Sequence, residues 1–256
     1  MIEKKFAKID GINTSYIDIG SGEVVVILHG WGANIESIIP IVNILKDNHR
    51  VIAYEYPGHG SSEEPNYVYG TEDYADFLKK FLDALNIKKS SFVGHSFGGK
   101  TLSVFSVKYK EMVNKLVLID ASGILPKRSL NYYVKVYSFK LLKKLYMIFN
   151  FSKDKETRLK NFYKKFGSDD YKSSDGIMRK VFVKVVNEST EEYLDKIEQE
   201  TLLIWGDKDD ATPLYMGEIF DKKIKNSGLV ILKNSGHFSY VDDYSTFSAV
   251  MRSYFN

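Results

Sequence analysis

The chain has 256 residues, 44% of them hydrophobic and 27% charged, with a net charge of +3. That ordinary globular composition excludes a disordered or fibrous chain and supplies enough chain for a large core without disulfide or metal staples. Cysteine is absent, which removes disulfides, thiolate metal sites and a cysteine nucleophile, and so small a net charge does not point to nucleic acid. Residues 1–10 lack the apolar stretch of about 7–15 residues that marks a secretory signal. The longest early apolar run, Val24–Leu28, is far short of the roughly 20 residues that span a bilayer. A soluble, cytoplasmic protein without a transmembrane segment is the expectation.

In chain order, Phe6–Ile19 predicts a hairpin, because Asp10-Gly11 at its centre supplies the positive φ angles of a tight turn. Val24–Leu28 is a continuous apolar run, as expected of a strand buried on both faces. Val51–Tyr54, Phe92-Val93, Leu116–Ile119, Leu202–Trp205 and Leu229–Leu232 repeat that texture. Between them, Thr71–Asn86 places Tyr74, Phe77, Leu78, Phe81, Leu82 and Leu85 on one helical face, with Thr71 as its N-cap. Ser189–Glu192 fits a capping box, and Thr212-Pro213 sets a capping hydroxyl before a proline at a helix start. Strands alternating with helices predict an α/β fold with a mostly parallel, doubly wound sheet.

Residues 125–190 break the alternation. No buried-strand run appears there until Val181–Val186, and the stretch carries 16 basic against 6 acidic residues, while the remainder of the chain is net acidic. The composition shift predicts a helical cap at 125–190, inserted into a core of residues 1–124 and 191–256.

Gly94-His95-Ser96-Phe97-Gly98 fits Gly-x-Ser-x-Gly between a strand (Ser91–Val93) and a helical stretch (Gly99–Tyr109). A strand-to-helix turn this sharp strains the serine backbone, needs glycines on either side, and exposes the hydroxyl beside a helix N-terminus. Ser96 is therefore the candidate nucleophile, and a serine needs a base. Of the five histidines, His95 adjoins Ser96 and is expected to point away from the turn, and His49 sits in a polar loop where a solvated role is expected. His237 follows the last strand, at the same sheet edge as Ser96. For a carboxylate, Asp207, Asp209 and Asp210 follow another strand at that edge, and Asp120, ending the Leu116–Ile119 strand, is a fourth candidate; the residues alone do not choose among them. The turn His29-Gly30-Trp31-Gly32 offers a backbone N–H to an oxyanion, with a second from Phe97. No phosphate-binding loop spacing is present.

Together these segments resemble the α/β-hydrolase superfamily, in its serine-nucleophile, lipase/esterase-like branch with a helical cap after the sixth strand. The resemblance rests on His29–Gly32, Tyr56–Ser62, Gly94–Gly99, Trp205–Asp209 and Gly236–Phe238. It implies Asp209 as the triad acid, four positions past Trp205, and the Trp31 and Phe97 amides as the oxyanion hole. Glu55 stands where the family usually has Asp, Glu200 where proline is common, and Asp242 and Asp243 near a usual glutamate. The serine argues against the dehalogenase and epoxide-hydrolase branches, which use aspartate there.

The resulting expectation is hydrolysis of a carboxylic ester or related acyl bond of a small or lipid-like substrate, through Ser96, His237 and Asp209, with no cofactor and no metal. The alternative keeps the triad but cleaves a carbon–carbon bond, or catalyses an elimination, in a small anionic metabolite that the basic cap attracts. A third expectation is peripheral contact with a membrane, since Tyr132–Phe151 interleaves Lys135, Lys140, Lys143 and Lys144 with aromatic and aliphatic residues. A non-catalytic ligand-binding role is disfavoured because every triad candidate is present.

Overall fold

The computed structural model describes residues 3–126, 130–149, 157, 158, 162 and 176–256. Strands β1 (Lys5–Ile9) and β2 (Ile12–Ile19) form the expected hairpin, with Asp10 at φ 51° and Gly11 at φ 85° in its turn. Six more strands follow: β3 (Val24–Leu28), β4 (Arg50–Tyr54), β5 (Ser90–His95), β6 (Val113–Ile119), β7 (Glu200–Gly206) and β8 (Ser227–Leu232). They make one sheet in the order β1-β2-β4-β3-β5-β6-β7-β8, antiparallel only at β1/β2 and β2/β4. Five of the six apolar runs read from the sequence lie in its inner strands and are nearly free of solvent on both faces; the sixth, Leu229–Leu232, lies in the edge strand β8, where Leu232 is buried and Ile231 is exposed.

Helices cover both faces. On one side lie α1 (Ile39–Leu45), after a 3-10 turn at Ile35–Ile38, and the C-terminal α9 (Tyr244–Phe255), packing Val42, Phe247 and Met251 against Val25, Ile27 and Ile204. On the other lie α2 (Thr71–Ala84), α3 (Phe97–Lys108) and α7 (Leu214–Lys223), packing Phe81, Phe105 and Phe220 against Tyr54, Phe92 and Trp205. The short α8 (Ser239–Asp242) follows the His237 loop.

Between β6 and β7 the described residues form α4 (Leu130–Phe149), α5 (Gly176–Asn187) and the short α6 (Glu191–Leu194). Val181–Val186, whose β-branched side chains read as a strand run, is helical. Met178, Val181 and Val185 are buried on one face of α5, at the three- and four-residue spacing of a helix. Much of the expected 125–190 insertion, including residues 150 and 151 of the aromatic-basic stretch, lies outside the described residues. No described helix is long and apolar enough to cross a membrane.

Three helix starts fall one residue from the expected cap. Helix α2 is capped by Gly70, whose N–H donates to the Asp73 carboxylate at 2.6 Å. Thr190 precedes α6 and Pro213 precedes α7, neither with a capping side-chain bond. The hydroxyls of Thr71 and Thr212 instead reach Glu188 and Asp209, whereas the Ser189 hydroxyl accepts the Glu191 N–H of the first turn at 3.2 Å and also donates to the Gly123 carbonyl.

Candidate active site

The carboxyl ends of β3, β5, β6, β7 and β8 converge on one edge, the usual location of a site in such a sheet. Between β5 and α3 the chain reverses at Ser96, held at φ 52°, ψ −112°. A non-glycine residue there costs about 1–3 kcal/mol and persists only when its surroundings enforce it. Here the Ser96 N–H donates to the Ile119 carbonyl at 2.9 Å, and the Ser96 carbonyl accepts from the Lys100 and Ser122 N–H groups, both at 3.1 Å. The flanking glycines are demanded by close approach. A Cβ on Gly94 would lie 2.6 Å from the Gly98 carbonyl carbon, and one on Gly98 would lie 2.9 Å from that of Leu28.

Ser96 Oγ lies 2.9 Å from His237 Nε2, and His237 Nδ1 lies 2.8 Å from Asp209 Oδ2. A carboxylate only accepts, so His237 Nδ1 carries the proton and Nε2 presents its lone pair to the serine hydroxyl. Asp209 Oδ1 accepts from the Ala211 and Thr212 N–H groups at 2.8 and 2.9 Å, and Oδ2 also accepts the Thr212 hydroxyl at 2.7 Å. Burial alone would raise the Asp209 carboxyl. The hydrogen bond and charge of His237 and the Thr212 donors outweigh it and hold the group below its ordinary value. Of the four carboxylates left open by the sequence, only Asp209 meets His237. Asp207 pairs with Lys233 at 3.8 Å, and Asp210 is exposed.

Asp120 has a different place. Fully buried at φ 45°, it accepts the Gly206 N–H at 2.9 Å, the Ser239 N–H at 3.2 Å and the Ser239 hydroxyl at 2.6 Å. It thus ties the end of β7 to the chain just past His237. Burial pushes its carboxyl up to about 7, against the donors from Ser239 and Gly206.

Opposite the histidine, Phe97 opens α3, so its N–H has no carbonyl one turn back in the helix. The Trp31 N–H lies in the turn after β3 and has no backbone acceptor among the described residues. The Trp31 and Phe97 rings meet edge to face at 5.3 Å. Around them are Tyr74, His59 and, from α5, Phe182, whose ring lies 5.6 Å from Trp31. A cavity of about 430 Å³ opens over Ser96 and His237, with Ile124, Leu125, Phe182, Val185, Met216 and Phe238 in its apolar wall.

Several residues of this assembly escape a reading of the sequence. His95, expected to turn away, packs its ring 5.0 Å from that of His237, and its Nε2–H donates to the His237 carbonyl at 2.7 Å. Burial first, and the neighbouring His237 second, push its pKa down to about 3, so it stays a neutral brace. His49, expected in solvent, is half-buried with its ring 5.5 Å from Phe255. Lys100, one turn after Ser96, donates to the Val185 and Glu188 carbonyls at 2.5 and 2.7 Å, tying α3 to the end of α5. Burial lowers its pKa to about 8. Glu55, the departure from the family's Asp, is buried and accepts from Lys4, the Ser61 N–H and the Ile35 N–H, which fixes the turns that follow β3 and β4.

Residues 23–244 match the family model described as the alpha/beta hydrolase fold. A 2-hydroxy-6-oxononadienedioate/2-hydroxy-6-oxononatrienedioate hydrolase of Pseudomonas putida is 31% identical over 277 residues, covering 96% of this chain and 94% of that protein. A 2-hydroxy-6-oxo-6-(2'-aminophenyl)hexa-2,4-dienoic acid hydrolase of Metapseudomonas resinovorans is 26% identical over 278 residues, covering 98% and 90%. The solved structure of a meta-cleavage product hydrolase of Pseudomonas fluorescens superposes with a TM-score of 0.74 at 26% identity, covering 98% of this chain and 97% of that one. The sheet order, the strained serine turn and the family match together make this chain a hydrolase of the α/β-hydrolase fold family.

Proposed function

We propose that this hydrolase cleaves a carboxylic ester with an apolar acyl group, through an acyl-enzyme on Ser96. The carrying observation is the pair of in-line hydrogen bonds, Ser96 Oγ to His237 Nε2 at 2.9 Å and His237 Nδ1 to Asp209 Oδ2 at 2.8 Å, at the floor of an apolar cavity. Ser96 Oγ attacks the ester carbonyl while its proton passes to His237 Nε2, and Asp209 stabilises the resulting imidazolium. The Trp31 and Phe97 N–H groups receive the negative charge that develops on the carbonyl oxygen. The intermediate collapses as the leaving alkoxide takes the proton from His237. Water, deprotonated by the same imidazole, then releases the acid and restores Ser96. The acyl group lies in the cavity, against Phe182 and Val185 of α5.

A second reading is favoured by one observation. Two relatives alignable over nearly the whole chain are hydrolases of a 2-hydroxy-6-oxo dienoic acid and of a 2-hydroxy-6-oxo dienedioate or trienedioate. In that reading Ser96 cleaves a carbon–carbon bond next to a ketone, and the leaving group is the enol-stabilised carbon of a small acid.

The two readings separate in one panel, comparing p-nitrophenyl esters from acetate to palmitate with a 2-hydroxy-6-oxo dienoic acid, for wild type and Ser96→Ala. The ester reading expects ester turnover, with a preferred chain length set by the cavity, and a loss of several orders of magnitude in the variant. Turnover of the dienoic acid alone transfers the assignment to carbon–carbon cleavage. Full activity of Ser96→Ala overturns both.

A further inference from the structure

Helix α4 is covered on one side and bare on the other. The rings of Phe139 and Tyr146 meet Phe162 at 5.2 and 5.3 Å, and the Met147 carbonyl accepts from Arg158 at 2.9 Å. On the opposite side, Val134, Tyr137, Leu141, Leu145 and Ile148 recur at intervals of three and four, the spacing that aligns side chains along one face of a helix. All five are exposed, by 41% to 66%. Single exposed apolar residues need no explanation, but an unbroken stripe along a helix of about 30 Å does. Its borders are also ordered. Lys140 and Lys144, both exposed, project from one flank, with the Lys140 ammonium 5.5 Å from the Tyr137 ring, and Leu142 widens the apolar stripe on the other. The sequence of α4 holds four lysines and no acidic residue.

We propose that this outer face of α4 docks the hydrolase onto an anionic lipid surface. Leucine, valine and isoleucine side chains along one face enter the boundary between headgroups and acyl chains. Tyr137 sits at headgroup level, and the flanking lysines meet lipid phosphates and carboxylates. A helix that lies in the interface in this way needs no membrane-spanning length, in keeping with the absence of a described helix that spans. The positive border selects this occupant over a neutral apolar partner. Docking also brings the site close to the lipid. Leu125 and Pro126 line the cavity over Ser96, and α4 begins four residues after Pro126, at most about 14 Å of extended chain. Leu125, Val186 and Phe238, at the cavity rim, are themselves exposed.

The test is co-sedimentation of the full chain with vesicles of phosphatidylglycerol-rich or pure phosphatidylcholine composition, for wild type, Leu141→Asp/Leu145→Asp and Lys140→Gln/Lys144→Gln. These positions are exposed, and unchanged thermal midpoints of both variants establish that they fold. Wild type is expected to pellet with the anionic vesicles, more weakly as salt rises, and far less with phosphatidylcholine. The lysine variant loses on the order of fivefold in partitioning per lysine removed, and the leucine variant roughly tenfold or more. Absence of wild-type pelleting with anionic vesicles overturns the proposal, as does pelleting that the two variants leave unchanged. A wild-type dimer in solution that the leucine variant converts to monomer also overturns it, by assigning the face to a second copy. Vesicle binding requires no turnover, so this proposal and the assignment of Ser96 fail separately.

Discussion

Replacing Thr212 by valine removes one oxygen from the core of the site and leaves nearly the same shape. In the structure that hydroxyl lies 2.7 Å from Asp209 Oδ2 and 3.0 Å from the Asp120 carbonyl, in a buried setting. A hydrogen bond to a buried carboxylate contributes about 1.5–3 kcal/mol, and removing the donor leaves the charge short of solvation. The Ala211 and Thr212 N–H groups and His237 remain, so the carboxylate is weakened rather than stripped. Thr212→Val should therefore lower unfolding stability at neutral pH by about 1.5–3 kcal/mol. For a domain of this size that is a fall in Tm of about 3–12 °C. Asp209 lies below its unfolded value of 3.8, so its stabilisation is present above that pH and is lost as pH falls through the folded value. Removing the hydroxyl raises the folded value and shrinks that contribution. Urea unfolding in a double-mutant cycle with Asp209→Asn isolates the charge. Against the neutral amide the same substitution should cost about 0.5–1.5 kcal/mol. Equal costs in the two backgrounds, or a cost below about 0.5 kcal/mol with Asp209 present, would refute the reasoning.

Two further outcomes follow from the same geometry. Asp209→Asn should fold, yet lower kcat by about 10³–10⁴, because an amide can donate to Nδ1 and so favours the tautomer with its proton on Nε2; steady-state ester hydrolysis reads this, and a loss under tenfold contradicts it. Stability should also fall as pH drops from 6.5 towards 4.5. Burial lowers the folded pKa of His29 to about 4 and of His59 and His95 to about 3, so each takes up a proton only on unfolding in that window. Asp120, raised to about 7, opposes them by releasing one. The net uptake of about two protons near pH 5 gives a slope of roughly 2.7 kcal/mol per pH unit, and a flat ΔG of unfolding across that range would contradict it.

The parts of the fold legible in the sequence are those whose signal is local. Val24–Leu28 and Leu116–Ile119 are apolar throughout because both faces of a central parallel strand are covered. Gly94, Ser96 and Gly98 are legible because a strand can turn into a helix there only if the backbone passes within touching distance of Leu28. Trp205 and Gly236 place Asp209 and His237 by resemblance, and their side chains meet in the structure. What was not legible depends on long-range contact. The hydroxyls of Thr71 and Thr212 look like caps, since a capping serine or threonine is a local pattern, but each bonds a carboxylate that the tertiary fold brings to it. The β-branched content of Val181–Val186 suggests a strand, and only the burial of Met178, Val181 and Val185 along one face shows the helical period. His95 could not be placed from adjacency to Ser96, because its partner, the His237 carbonyl, lies 142 residues away.

The central claim is that Ser96, activated by His237, is the nucleophile. Intact-mass analysis after treatment with an alkyl fluorophosphonate, followed by peptide mapping, tests it without knowledge of the natural substrate. The geometry predicts a single adduct per chain, located on Ser96, absent in Ser96→Ala and formed orders of magnitude more slowly in His237→Ala. An unlabelled wild-type chain, an adduct on another residue, or labelling of Ser96 at an unchanged rate without His237 would contradict it.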